Sequence, residues 1–252
     1  MLIACETESI DKNAENSELV AKKQTIELQQ LVLIDAFLNS WESQILPIGA
    51  KNMLIDSNEF SIKRSVHFGK SKLCGDYITR SGSFTLEIIK TIRGIDSISC
   101  IILPEDSFGI STSNGIVYFN GVVEMKRLNQ LETEIKSNFN FTENGKQSVR
   151  YMSHLVSSRI LKFPTTLNIN DGIELNGKSE IMNQLGDVLY SSDVIHVSKI
   201  TDAPNFPISG HLNVISGSKK SIKISFDAFN NWSFDKIAKA TSGNTEWIFD
   251  IQ

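Results

Sequence analysis

Apolar and polar residues alternate with a period of two through most of this chain, and that period constrains its fold more than any other feature. Phe60-Ser-Ile-Lys-Arg-Ser-Val-His-Phe68 alternates, as does Ser83-Phe-Thr-Leu-Glu-Ile-Ile-Lys-Thr-Ile92. Leu131, Thr133, Ile135, Ser137, Phe139 and Phe141 share one phase, with Glu132, Glu134 and Lys136 in the other. That pattern predicts a half-wet strand of the antiparallel type. Ser97–Leu103 is a short apolar run around Cys100, and Gly115–Met125 alternates with a break at Asn120-Gly121. Further strands are expected at Thr166–Ile169, Gly172–Ile181, Val188–Ile200, Ile208–Ile215, Ser221–Phe229 and Thr245–Ile251. Residues 147–163 fit strand and helix equally.

Turn chemistry agrees with this reading. Asn-Gly pairs stand at 114–115, 120–121, 144–145 and 176–177, with Asp171-Gly172 beside them. Such dipeptides tolerate the positive φ of tight hairpins. They predict a meander, because parallel βαβ units would need repeated crossover helices. The chain holds 32 Ile but 9 Ala, and 31 Ser and 20 Asn. β-Branched residues suit a pleated surface and Ala suits helices. An AT-rich gene would give the same counts, so the pattern decides. Segments 114–121 and 171–177 resemble each other, as two hairpins of like chemistry would.

One stretch breaks the period. Leu28, Leu31, Ile34, Leu38, Trp41 and Ile45 recur at spacings of three and four, which predicts an amphipathic helix over 17–46. Asn16 or Ser17 can cap it, and Pro47 with Gly49 ends it. The expected fold is therefore mainly β. It is an antiparallel meander forming a strongly curved sheet, sandwich or partial barrel, with one N-terminal α-helix packed on it. Residues 17–252 form a single β-rich domain behind a tether at 1–16, since no later linker divides the β region.

The chain opens Met1-Leu2-Ile3-Ala4-Cys5. Leu2-Ile3-Ala4-Cys5 resembles the lipobox of bacterial envelope lipoproteins, in which the Cys becomes the first mature residue and carries the lipid. The resemblance covers four residues and departs from the pattern in having only Met1 before it, with no basic and no apolar leader segment. It implies residues upstream of Met1 in the native gene, or a cytoplasmic protein if translation starts there. Residues 6–18 are polar and acidic with one aliphatic side chain, as a flexible tether would be. If Cys5 is lipidated, Cys74 and Cys100 remain as an even pair in an oxidising compartment, so a Cys74–Cys100 disulfide is expected. Two buried free thiols in a cytosolic core are the alternative. The stretch Pro207–Phe226 reads as two strands around Gly217-Ser218 and resembles the closing hairpin of β-rich bacterial envelope proteins.

Several functions drop out. With 40% hydrophobic and 21% charged residues, the chain is of ordinary globular composition. A net charge of −4 without a basic block argues against nucleic acid as a partner. Gly69-Lys70-Ser71 matches the end of a P-loop, but Arg64 stands where the first glycine belongs. Ser233 and Lys236 have Ser-x-x-Lys spacing without the accompanying motifs of penicillin-recognising enzymes. Asn168–Gly172 starts like a calcium loop, and Ile173-Glu174 does not continue it. No Cys or His spacing supplies four zinc ligands. An enzyme would need two or more of His67, His154, His196 and His211 to converge with carboxylates in one cleft.

The expectation is a non-catalytic envelope lipoprotein, without metal or cofactor, held to the membrane through Cys5. Its role is binding or scaffolding toward another envelope protein, or carriage of a lipid or other apolar ligand in a β cavity.

Overall fold

A computed structural model describes residues 50–73, 79–91, 94–112, 115–129, 131–143, 148–160, 172–199, 207–216, 221–226 and 237–250. The tether at 1–16 and the helix expected over 17–46 lie outside the described residues, as does the strand expected at Thr166–Ile169. Among the described residues there is no α-helix. One 3-10 turn, Pro104–Asp106, interrupts an otherwise all-β chain.

The strands are β1 (Asn52–Ser57), β2 (Ser61–Leu73), β3 (Thr79–Thr91), β4 (Gly94–Ile102), β5 (Gly109–Thr112), β6 (Gly115–Arg127) and β7 (Glu132–Glu143). They continue as β8 (Val149–Ile160), β9 (Gly172–Met182), β10 (Val188–Lys199), β11 (Pro207–Ser216), β12 (Ser221–Phe226), β13 (Ile237–Ser242) and β14 (Thr245–Asp250). All belong to one 14-stranded sheet in which every pairing is antiparallel, and apart from β5 the strands follow one another in chain order. This is the meander that the alternation demands.

β5 is the exception to the simple path. It pairs with β3 and β6, the same two strands that flank β4. β4 and β5 are thus one strand position, broken by an excursion over residues 103–108. Asp106 closes the excursion. Its Oδ2 accepts the Leu103 N–H at 2.9 Å and its Oδ1 accepts the Ser83 hydroxyl at 2.8 Å.

Two expected turns are corrected. Asn120-Gly121 and Asn176-Gly177 lie inside the continuous strands β6 and β9. Gly121 (φ +142°) pairs with Phe139, and Gly177 (φ +149°) pairs with Leu155. A Cβ on either would strike the carbonyl of Asn138 or His154 on the adjacent strand. The Asn-Gly pairs therefore sit inside paired strands rather than at hairpins, and glycine is needed there because the adjacent backbone comes close. Residues 147–163, open between helix and strand, contain β8: Tyr151, Ser153 and Leu155 are buried while Arg150 and His154 are exposed.

Candidate functional site: a dry inner face and a charged outer face

Alternation sends every second side chain to the same side of the sheet. On the inner side, one row of register-paired residues includes Ile62, Ile88, Ile98, Met125, Ile135 and Leu155, all buried. Beside it runs a chain of aromatic rings: Phe68, Phe84, Phe108, Phe119, Phe139, Phe141 and Tyr151. Successive centroids lie 4.7–6.0 Å apart, mostly tilted or edge to face. Those geometries suit the aromatic quadrupole and fill the β2–β8 part of the interior.

Toward β13 the inner face stays apolar, with Leu212, Val214, Ile222, Ile224 and Phe226 buried on β11 and β12. Ala238 and Ala240 are fully buried, and Gly177 offers no side chain. Between them and the aromatics, Ser137, Ser153, Ser179 and Ser192 stand side by side on β7, β8, β9 and β10. All four are buried. The Ser179 and Ser192 hydroxyls meet at 2.6 Å. In the other direction the same row passes through Val123, Cys100 and Leu86 to Arg64. Arg64 is buried, and desolvation holds its guanidinium below the ordinary value. Four serines and Arg64 thus lie in one row of a mostly apolar surface, with Arg80 buried in another.

The outer side is opposite in kind. Asp56, Lys63, Glu87, Ser99, Glu124 and Lys136 pair in turn from β1 to β7. His154, Lys178, Asp193, Asn213, Lys223, Thr241 and Glu246 carry that row on to β14. Every member is exposed or half-buried. A membrane-spanning barrel needs an apolar band on its outside. Here a polar row, most of its members charged, crosses the middle of the outer surface from edge to edge.

One outer cluster has internal chemistry. Glu134 Oε1 accepts from His154 Nε2 at 2.7 Å and from Lys136 Nζ at 3.2 Å. The His154 and Lys136 hydrogen bonds hold the Glu134 carboxyl below the usual carboxylate range. Beside it, a cavity of about 500 Å³ lies against β6–β8, lined by Val122, Glu124, Lys136, Asn138, Met152 and His154 among others. The cluster carries an imidazole, a carboxylate and an amine, and among the described residues no hydroxyl or thiol is hydrogen-bonded to the imidazole. Of the four histidines, His154 alone meets a carboxylate among the described residues. His67 and His211 belong to other positions on β2 and β11, and the backbone of His196 pairs with Leu175 and Gly210. Among the described residues no three His, Cys, Asp or Glu side chains gather as metal ligands.

Cys5 and Cys74 lie outside the described residues. Cys100 is a buried free thiol, pushed up by burial and by the charge of Asp106. The expected Cys74–Cys100 pairing therefore falls outside the described residues.

The buried serine row was hidden in the sequence because Ser is read first as a turn residue. The signal was phase: Ser137 sits between Ile135 and Phe139, and Ser153 between Tyr151 and Leu155. The chain matches no known protein-family model, no curated protein and no solved structure.

Proposed function

We propose that this is a non-catalytic cell-envelope protein, anchored through a lipid on Cys5, that carries a lipid or another apolar molecule against the inner face of its sheet. The observation that supports it is the polarity split: a polar, mostly charged outer row across every strand of the path, opposed by a buried and mostly apolar face. Thirteen strand positions at about 4.8 Å span roughly 60 Å, too wide for a twisted sheet to stay flat. In this reading the sheet curls into a partial barrel, with Gly121 and Gly177 as bending points. The segment 17–46 would supply the packed helix that closes it. An apolar interior lined by a few placed polar groups is the usual character of a small-molecule site.

A scaffolding role toward another envelope protein is the second reading. Exposed Leu54, Ile55 and Phe60 favour it, because they lie on or beside the edge strand β1, whose far side has no partner among the described residues. The test is labelling of the full-length protein in its bacterial host with radioactive palmitate, followed by titration of the purified protein with N-phenyl-1-naphthylamine. Label that is lost in Cys5→Ala, with saturable probe fluorescence, is the expected result. An unlabelled protein in the cytosolic fraction overturns the address, and absence of saturable binding overturns the carrier role.

A further inference from the structure

The two edges of this sheet run the same way. With β4 and β5 sharing one position, the path holds thirteen positions, and an even number of antiparallel steps leads from β1 to β14. An even number of reversals leaves both edge strands pointing in one direction. Joining β1 to β14, within one chain or between copies in file, would therefore make a parallel pair, which is slightly less stable per residue. A two-fold axis normal to the sheet acts differently. It sets an edge antiparallel to its own copy and keeps inner side chains with inner and outer with outer. A second copy extends this sheet in its own antiparallel pattern only when like edge meets like edge.

β1 suits that contact. Its far side has no strand partner among the described residues, its pairing with β2 runs without a bulge, and it carries no proline or lysine. Bulges, prolines and lysines are the features that normally keep an edge from pairing. Met53 and Ile55 lie on the inner face beside Val66 and Arg64, and Leu54 lies on the outer face in a row with Ser65 and Thr85. Leu54 and Ile55 are exposed and Met53 is half-buried. An antiparallel pair centred on Leu54 sets that residue against its own copy, Met53 against Ile55, and Asn52 against Asp56. Every apolar residue then meets an apolar one and every polar residue a polar one. A centre on Ile55 would instead set Leu54 against Asp56. On β14 the corresponding registers put Glu246 opposite Ile248 or opposite Asp250, and neither is matched.

We infer that β1 is the interface of a two-fold homodimer, in which two copies pair antiparallel about Leu54 and the sheet runs on from one into the other. This goes beyond both readings above: it needs no ligand, and it gives the edge strand to a second copy of the chain. A six-residue strand contact is small, so the association is reversible and sets in at roughly micromolar concentration.

Sedimentation velocity of the full-length protein, prepared without lipid and loaded at about 1–100 μM, tests it. The wild type is expected to pass from monomer to dimer across that range. Leu54→Lys and Leu54→Glu each bring like charges face to face and should weaken dimerisation about tenfold, and an equimolar mixture of the two should restore it. Ile248→Lys, on the opposite edge, should change nothing. With Cys5 and Cys74 replaced by Ser, Leu54→Cys should oxidise to a covalent dimer and Asp56→Cys should not. A wild type that stays monomeric throughout overturns the inference and leaves the carrier and scaffolding readings standing. A dimer that survives Leu54→Lys, or is lost in Ile248→Lys instead, overturns it, as does a mixture no stronger than its parts. A monomeric wild type whose thermal midpoint falls by several degrees in Leu54→Lys would show the edge covered by the chain's own residues, and that too overturns it.

Discussion

Glu134, His154 and Lys136 show how register, not sequence proximity, makes chemistry on this molecule. Lys136 and His154 oppose each other on β7 and β8, and Glu134 reaches both from two residues along. The carboxyl is depressed chiefly by the His154 hydrogen bond, then by that of Lys136. A depressed folded-state value stabilises the fold above the ordinary carboxylate pKa. That contribution disappears as pH falls through the depressed value. Carboxyl NMR should show Glu134 titrating below the usual glutamate range, and His154→Ala should move it upward. An unmoved titration would contradict the geometry. The sequence showed that Glu134 and Lys136 share a wet face. It could not show His154 beside them, because the 20-residue separation is closed only by strand pairing.

At the scale of elements, the excursion at 103–108 and the mid-strand glycines Gly121 and Gly177 are where the meander departs from regularity. Phe108 ends the excursion and drops its ring among Phe68, Phe84 and Phe119, with centroids 5.6, 5.2 and 4.7 Å away. Phe108→Ala should destabilise the fold by about 3–5 kcal/mol, read as a lower urea midpoint with unchanged slope. Gly177→Ala sets a side chain against the His154 carbonyl at a backbone angle that favours glycine. It should cost about 1–3 kcal/mol in the same assay. A loss within 0.5 kcal/mol for either would contradict the packing described. The long strands were legible because β2, β3, β6 and β7 alternate over many residues. β5 and β13 were not: four residues, and a run built on Ala238 and Ala240, carry too little apolar contrast. Asn120-Gly121 misled because a glycine with positive φ serves a hairpin and a crowded mid-strand position equally well.

The whole molecule is defined by the separation of its two faces. Sequence alternation established that such faces exist. It could not show that thirteen strands line up so that Lys136, Lys178 and Lys223 share one outer row and Ser137, Ser153, Ser179 and Ser192 one inner row. That alignment depends on accumulated hairpin registers, each set by a turn. It gives the outer surface a continuous polar row and gathers most of the large apolar side chains inside. The most direct measurement of this account is native mass spectrometry of the full-length protein released from its own envelope. The account predicts a mass above that of the lipidated polypeptide by one amphiphile, which solvent extraction removes without unfolding the sheet. A single species at the bare lipidated mass, with or without extraction, would contradict it.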